Sequence, residues 1–400
     1  MKIKSLTARP ILDSRGQWTI EATLRLKNGV TAVASVPQGK STGSSEAVAL
    51  PAAVAVRKIK SDIEPALKRA DVRSQEALDS LLIKLDGTGN KSHLGANAIL
   101  ATSIAFLRAT AMSDDVPLWK KIQAVYEGMG GSTTSPHKMP GVAAPRLFMN
   151  MVNGGLHAGN NLRFQEYLVI PKCRTIRESV EVGMQLYHAL GAALARSKGS
   201  IAKNVGDEGG YAPDFANDVE PFRIMHALAR TLKLSKKVDF GMDAAATDIK
   251  KAKHAELRDT YLKLVRSYGL IYLEDPFSEE DFLAFAALNM RLGAKTWITG
   301  DDLTVTNVRR ITRARTENSV GGVIIKPNQI GTVSESLEAV KAARKYRWAI
   351  VASHRSGETD DDFIADFAYA VRADGVKLGA PARGERTAKY NRLLAIEAGK

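Results

Sequence analysis

Beyond residue 145, short apolar runs alternate with longer helical stretches, and this repeat limits the architectures open to the chain. The runs fall at 146–152, 165–170, 238–243, 269–274, 296–301, 322–326, 348–353 and 375–378. From Val238 onward each is followed by a segment long enough for a crossover helix, and repeated strand–helix units imply parallel pairing. Eight strands within about 260 residues suit a (β/α)8 barrel. The other arrangement, a doubly wound open sheet, lacks a Gly-rich dinucleotide fingerprint here.

The N-terminal part reads differently. Ile20, Ala22, Leu24 and Leu26 alternate with Glu21, Thr23, Arg25 and Lys27. Asn28-Gly29 then signals a tight turn, and Val30 to Val36 returns as a second strand. Residues near 45–82 and 92–112 read as helices with charged faces. The stretch from 127 to 141, rich in Gly, Ser, Thr and Pro, has linker composition. The expected organisation is α/β: an N-terminal α+β capping domain over 1–126, a linker over 127–141 and a barrel over 142–400.

Composition excludes several classes of function. The chain has 400 residues, 44% of them hydrophobic, yet no apolar run approaches the roughly 20 residues needed to span a bilayer. Met1-Lys2-Ile3-Lys4-Ser5 leads straight into strand-like sequence with no apolar signal core, so a cytoplasmic protein is expected. The single cysteine, Cys173, can form no internal disulfide. The 57 Lys+Arg against 43 Asp+Glu give a net charge of +14. Such a balance suits an anionic partner, but the basic residues are scattered and no nucleic-acid motif accompanies them. Specific nucleic-acid binding is therefore not expected, and an anionic surface or an anionic substrate stays open.

The later apolar runs each end in a polar or ionisable residue: Asp243, Glu274, Asp301, Lys326, then His354-Arg355. In a barrel these ends converge on one mouth, where catalytic groups belong. Three neighbouring carboxylates repel one another unless a cation lies between them, and all-oxygen donors favour a hard ion such as Mg²⁺. A single acid would more simply cap the following helix; three in series, with Lys and His-Arg on the next two strands, point to a site. Desolvation and a nearby cation lower a lysine's pKa, so Lys326 is a candidate base.

These residues lie in longer words. They include Val205-Gly206-Asp207-Glu208-Gly209-Gly210-Tyr211-Ala212-Pro213, Asn153-Gly154-Gly155-Leu156-His157-Ala158-Gly159-Asn160 and Phe164-Gln165-Glu166. Gly300-Asp301-Asp302-Leu303, Ile325-Lys326-Pro327-Asn328-Gln329 and Ser353-His354-Arg355-Ser356-Gly357-Glu358-Thr359 follow in order. Ile11-Leu12-Asp13-Ser14-Arg15-Gly16 and Ser41-Thr42-Gly43 stand near the start. Together they resemble the enolase family over almost the whole chain.

The resemblance implies an enolase-type (β/α)8 barrel with an N-terminal α+β capping domain, and Mg²⁺-dependent dehydration of 2-phosphoglycerate to phosphoenolpyruvate. It implies two Mg²⁺ per site. Asp243, Glu274 and Asp301 would hold the first, and Ser41 would help bind the second. Lys326 would take the C2 proton, and Glu208, assisted by Glu166, would protonate the departing C3 hydroxyl. His157 would line the pocket near that group. Arg355 and Ser356 would grip the phosphate, with His354 beside them, and Lys377 would support the metal-bound carboxylate and the base. The family resemblance also implies a homodimer or higher homo-oligomer.

Some positions depart from the family pattern. Gln38 and Lys40 stand where Ser and Ala are usual, and Lys40 places a cation beside the expected phosphate and second-metal site. Pro51 interrupts the expected helix, and the segment after Asp243 is short. These departures motivate two alternatives: a relative acting on another phosphorylated or phosphonylated acid, and a basic scaffold binding nucleic acid or, through Lys400, surface proteins.

Overall fold

The computed structural model describes residues 2–40, 43–138, 142–249 and 253–399. The expected ligand Ser41, with Thr42 beside it, lies outside the described residues, as do Lys400 and residues 250–252, Lys250 and Lys251 among them.

The N-terminal part is built on a three-stranded antiparallel sheet, β1 (Ile3–Leu12), β2 (Trp18–Leu26) and β3 (Thr31–Ser35). Its inner face buries Leu6, Ile20, Leu24 and Ala34. The β2–β3 turn falls at Asn28-Gly29, with Gly29 at φ +95°, the left-handed geometry that selects glycine. The first helical stretch starts later than its composition suggests and is divided. It comprises α1 (Ala52–Lys58), one π-helical turn and α2 (Glu64–Arg69), followed after a break by α3 (Gln75–Asp86). Residues 47–50 are irregular because their backbone is used elsewhere: Ala47 N–H donates to Gln329 O, and Val48 bonds both Asn90 and Ala96. Pro51 is the N-cap of α1. Next, α4 (Ala96–Ser113) is buried on nearly every side between the sheet and its neighbours, as expected of a helix apolar all round. Finally α5 (Leu118–Gly128) runs two residues into the stretch read as linker.

The barrel closes in chain order. Its strands are β4 (Arg146–Asn153), β5 (Glu166–Pro171), β6 (Val238–Asp243), β7 (Leu270–Glu274), β8 (Trp297–Gly300), β9 (Gly322–Ile325), β10 (Ala349–Ser353) and β11 (Gly375–Lys377). All eight coincide with the apolar runs to within a residue or two. The parallel pairing expected from Val238 onward is found from β6 to β11, while β5, which precedes it, runs antiparallel to both β4 and β6. The reason is length. Only 154–165 separates β4 from β5, too short for a crossover helix, and a parallel neighbour needs one.

That reversal positions the site. Since β5 starts at the mouth and ends at the floor, the chain climbs back along α6 (Ile176–Lys198, 23 residues) and descends along α7 (Glu220–Thr231) to reach β6. The loop between these helices lies at the mouth and carries Glu208. The register sets Asn153, Glu166, Asp243 and Glu274 side by side on four adjacent strands.

Below the mouth the barrel is filled. Phe148, Leu168, Ile170, Tyr272, Ile324 and Val351 form a buried cluster, with Phe148 edge-on to Tyr272 at 4.9 Å between centroids. A Cβ on Gly375 would come within 2.3 Å of the Phe148 ring, so the neighbouring strand has glycine there. Phe148→Ala is expected to cost about 3–5 kcal/mol of unfolding free energy, read by urea denaturation; a loss below about 1 kcal/mol would show that this layer does not carry the barrel.

Candidate active site

The barrel mouth gathers the predicted residues. Asp243 and Glu274 end β6 and β7, Asp301 follows β8, Lys326 follows β9, His354-Arg355-Ser356 follow β10, and Lys377 ends β11. His157 and Glu208 come from loops and Glu166 opens β5. Of these, His157, Glu166, Glu208, Asp243, Asp301, Lys326, His354, Arg355 and Ser356 line one narrow cleft with about 20 Å³ of free internal space. Glu274 and Lys377 support it from below.

Two lysines are set among the acids. Lys377 Nζ lies 2.6 Å from Glu274, 3.1 Å from Glu166 and 3.3 Å from Asp243. Lys326 Nζ donates to Asp301. Burial pulls the Lys326 ammonium down, but the neighbouring carboxylates, Asp301 first and then Glu274, together outweigh it and the net direction is up.

The residues fit a divalent cation. Glu274 Oε1 is buried with no hydrogen-bond partner among the described residues. Glu274 is pushed up to about 8, by burial first and by Asp243 next, with Lys377 opposing both, the direction expected of buried, crowded carboxylates. Two tighter groups of candidate donors also occur, His157/Glu166/Glu208 and Asp275/Asp301/Asp302, each with ligand atoms within 4.8 Å of one another.

On the opposite side of the cleft, Glu166 and Glu208 act as a pair. Glu166 is driven well above the carboxylate range by burial and then by Glu208. Burial also raises Glu208, but His157, whose Nδ1 lies 3.3 Å from Glu208 Oε1, outweighs it and the net direction is down. Asn150 Nδ2 donates to Glu208 Oε2 at 2.9 Å, while Glu166 Oε2 is buried with no hydrogen-bond partner among the described residues.

Arg355 forms a two-pronged ion pair with Glu46, at 2.8 and 3.0 Å, and also donates to Asn328. Ser356 Oγ accepts from the backbone N–H of Lys40 at 2.8 Å. The Lys40 ammonium, expected beside the phosphate site, instead bonds Asp207 at 3.0 Å and the Leu156 carbonyl at 2.6 Å.

Sequence reasoning missed several members. Glu46 and Arg386 stand in segments with no motif of their own. Asp275 accepts from the backbone N–H groups of Asp301 (2.9 Å) and Asp302 (2.7 Å) and has φ +39°; its place directly after Glu274 was the available signal. Val305 and Thr306 are β-branched residues with φ +40° and +54°, a conformation that costs free energy and clusters at functional sites. This turn lets Thr306 Oγ1 accept from Lys326 N–H (2.9 Å) and donate to Gln329 (2.8 Å), while Gln329 donates to Asp301 (2.9 Å). Lys326 and Asp301 are thereby held by one chain of bonds.

Comparison with known proteins gives a consistent picture. Residues 3–122 match the family described as "Enolase, N-terminal domain", and residues 142–399 match "Enolase, C-terminal TIM barrel domain". A protein named Enolase from Methanopyrus kandleri is 41% identical over 99% of this chain and 95% of its own length. Proteins of the same name from Saccharolobus solfataricus (40%) and Solanum lycopersicum (38%) match over the same shares. No helix among the described residues is long and apolar enough to cross a membrane.

Proposed function

The chain belongs to the enolase family, and from that premise we propose that it reversibly removes water from 2-phosphoglycerate to give phosphoenolpyruvate. The observation that carries this reading is the opposition, across one cleft, of Lys326 and the Glu166/Glu208 pair, with Asp243, Glu274 and Asp301 between them. Dehydration next to a carboxylate needs a base on one side of the substrate, an acid on the other and positive charge at the carboxylate.

Asp243, Glu274 and Asp301 would hold the cation; their oxygen donors suit a hard ion, and the family resemblance makes it Mg²⁺. When bound, it supplies charge that acidifies C2 and relieves Asp301 of its dependence on Lys326. Lys326 then takes the C2 proton. The electron pair left at C2 forms the C2=C3 bond, and the C3 hydroxyl departs as water with a proton from the Glu166/Glu208 pair. His157 orients Glu208, and Lys377 braces Glu166, Asp243 and Glu274. Arg355 and Ser356 would bind the phosphate, with His354 behind them, once Arg355 exchanges Glu46 for it. The second metal site at Ser41 rests on the sequence resemblance alone.

Lys40 does not favour another substrate, because its ammonium is engaged by Asp207. The pair is partly exposed, so Lys40→Ala is expected to change KM for 2-phosphoglycerate by less than about fivefold. A larger shift would return Lys40 to the phosphate site.

By family resemblance we also propose at least a homodimer. Exposed Leu12 and Trp18 on the rim of the N-terminal sheet are consistent with a covered face, and light scattering of the eluting protein tests it against the monomer mass of 43.3 kDa.

The function itself is tested by following phosphoenolpyruvate formation by ultraviolet absorbance. Activity is expected with Mg²⁺, with loss on adding EDTA and recovery on restoring the metal. No turnover by folded, Mg²⁺-loaded protein would overturn the reading.

A further inference from the structure

Arg386 is the largest fully buried side chain among the described residues, and the mechanism above does not use it. It lies in the first turn of a helix over Gly384–Glu397. Its guanidinium is spent on the site. Nη1 donates to His354 Nδ1 at 2.6 Å and to the Arg355 carbonyl at 2.6 Å. Nη2 donates to the carbonyls of Ser356 (2.7 Å) and Asp207 (3.0 Å). One side chain thus ties the loop carrying Glu208 to the loop expected to bind phosphate. Gly379 makes room for it: a Cβ there would lie 3.1 Å from both Arg386 Cδ and His354 Cε1.

A guanidinium has no lone pair to offer and stays charged at any ordinary pH, so it can only donate. The nitrogen it meets must be the acceptor nitrogen of the ring. We propose that Arg386 is a positioning residue that fixes His354 as the neutral imidazole protonated at Nε2 alone. This rests on the enolase reading for its consequence, but not for its geometry.

The consequence concerns the catalytic proton. His354 Nε2 is buried, has no hydrogen-bond partner among the described residues, and lies 3.6 Å from Glu208 Oε1. With its proton on Nε2 the ring faces Glu208 as a donor. With the proton on Nδ1 instead, an Nε2 lone pair would face Glu208 and could take the proton meant for the leaving hydroxyl. Arg386 prevents that and keeps His354 from acting as a competing base. The charged groups facing the ring are Glu208, Arg386, Lys377 and Lys389. Burial, with the three cations, outweighs Glu208 and holds the imidazole well below its ordinary range, which agrees with a neutral ring.

The test is a long-range proton–nitrogen NMR spectrum of the full chain labelled at its 7 histidines, with His354 assigned by its disappearance in His354→Gln. At neutral pH the wild type is expected to show His354 protonated at Nε2 and bare at Nδ1. In Arg386→Met the ring is expected to gain a proton at Nδ1, with kcat falling by about 10²-fold and KM changing far less. A wild-type ring protonated at Nδ1, alone or as imidazolium, would overturn the proposal, and this readout needs no variant to fold. So would an Arg386→Met protein with an unchanged ring and unchanged kcat. An inactive wild type whose His354 is protonated at Nε2 alone would sink the proposed function and leave the Arg386 assignment standing. An active wild type with the other tautomer would do the reverse.

Discussion

Lys326→Ala is expected to fold and to lose about 10³- to 10⁴-fold in kcat, the range that a positioned base supplies. The residue sits where Ile325 ends a buried strand and Pro327 opens the next helix, so its backbone position does not depend on its side chain. What disappears is the one lysine that reaches into the cleft against Asp301. Lys377, the other buried lysine nearby, is held by three carboxylates and cannot substitute. Binding of Mg²⁺ is expected to persist in the variant, and even to tighten, because Asp301 loses a competing cation. Calorimetric titration with Mg²⁺ checks this. A variant that has lost both Mg²⁺ binding and activity would point to a structural role instead.

Lys377→Met should have a large effect on stability. Its ammonium is buried and serves Glu166, Asp243 and Glu274 together. Burial alone would lower its pKa, but these acids outweigh burial and hold it well above the ordinary lysine range. Removing one partner of a buried ionic cluster costs about 3–5 kcal/mol, because the remaining charges lose their compensation. Glu274, already pushed up to about 8, would take up a proton. Thermal unfolding in EDTA should therefore show a strongly lowered midpoint. Added Mg²⁺ should recover more of the loss than it adds to the wild type, since it stands in for part of the missing charge. A variant that melts like the wild type in EDTA would show that the cluster does not need Lys377.

The barrel was legible because its strands are short, apolar and regularly spaced, and because each ends in a residue of different chemistry. The direction of β5 was not. Apolar content places a strand in the core without saying which way it runs, and only the short 154–165 connection carried that information. The helix expected from residue 45 failed for a tertiary reason: Ala47 and Val48 bond to residues far along the chain. Among the site residues, Glu166, Glu208, Asp301 and Lys326 stood in recognisable words, and Asp243 and Glu274 were marked by ending apolar runs. Glu46 and Arg386 had neither mark, since what makes them part of the site is a partner 309 positions away for the first and 32 for the second.

The central claim assigns the two proton transfers to opposite sides of the cleft, and hydrogen exchange at C2 of 2-phosphoglycerate in heavy water, followed by NMR with Mg²⁺ present, separates them. Glu208→Gln is expected to go on exchanging the C2 hydrogen while dehydration falls by about 10²-fold or more. Lys326→Ala is expected to lose both. A Lys326→Ala protein that exchanges C2 hydrogen at the wild-type rate would contradict the account.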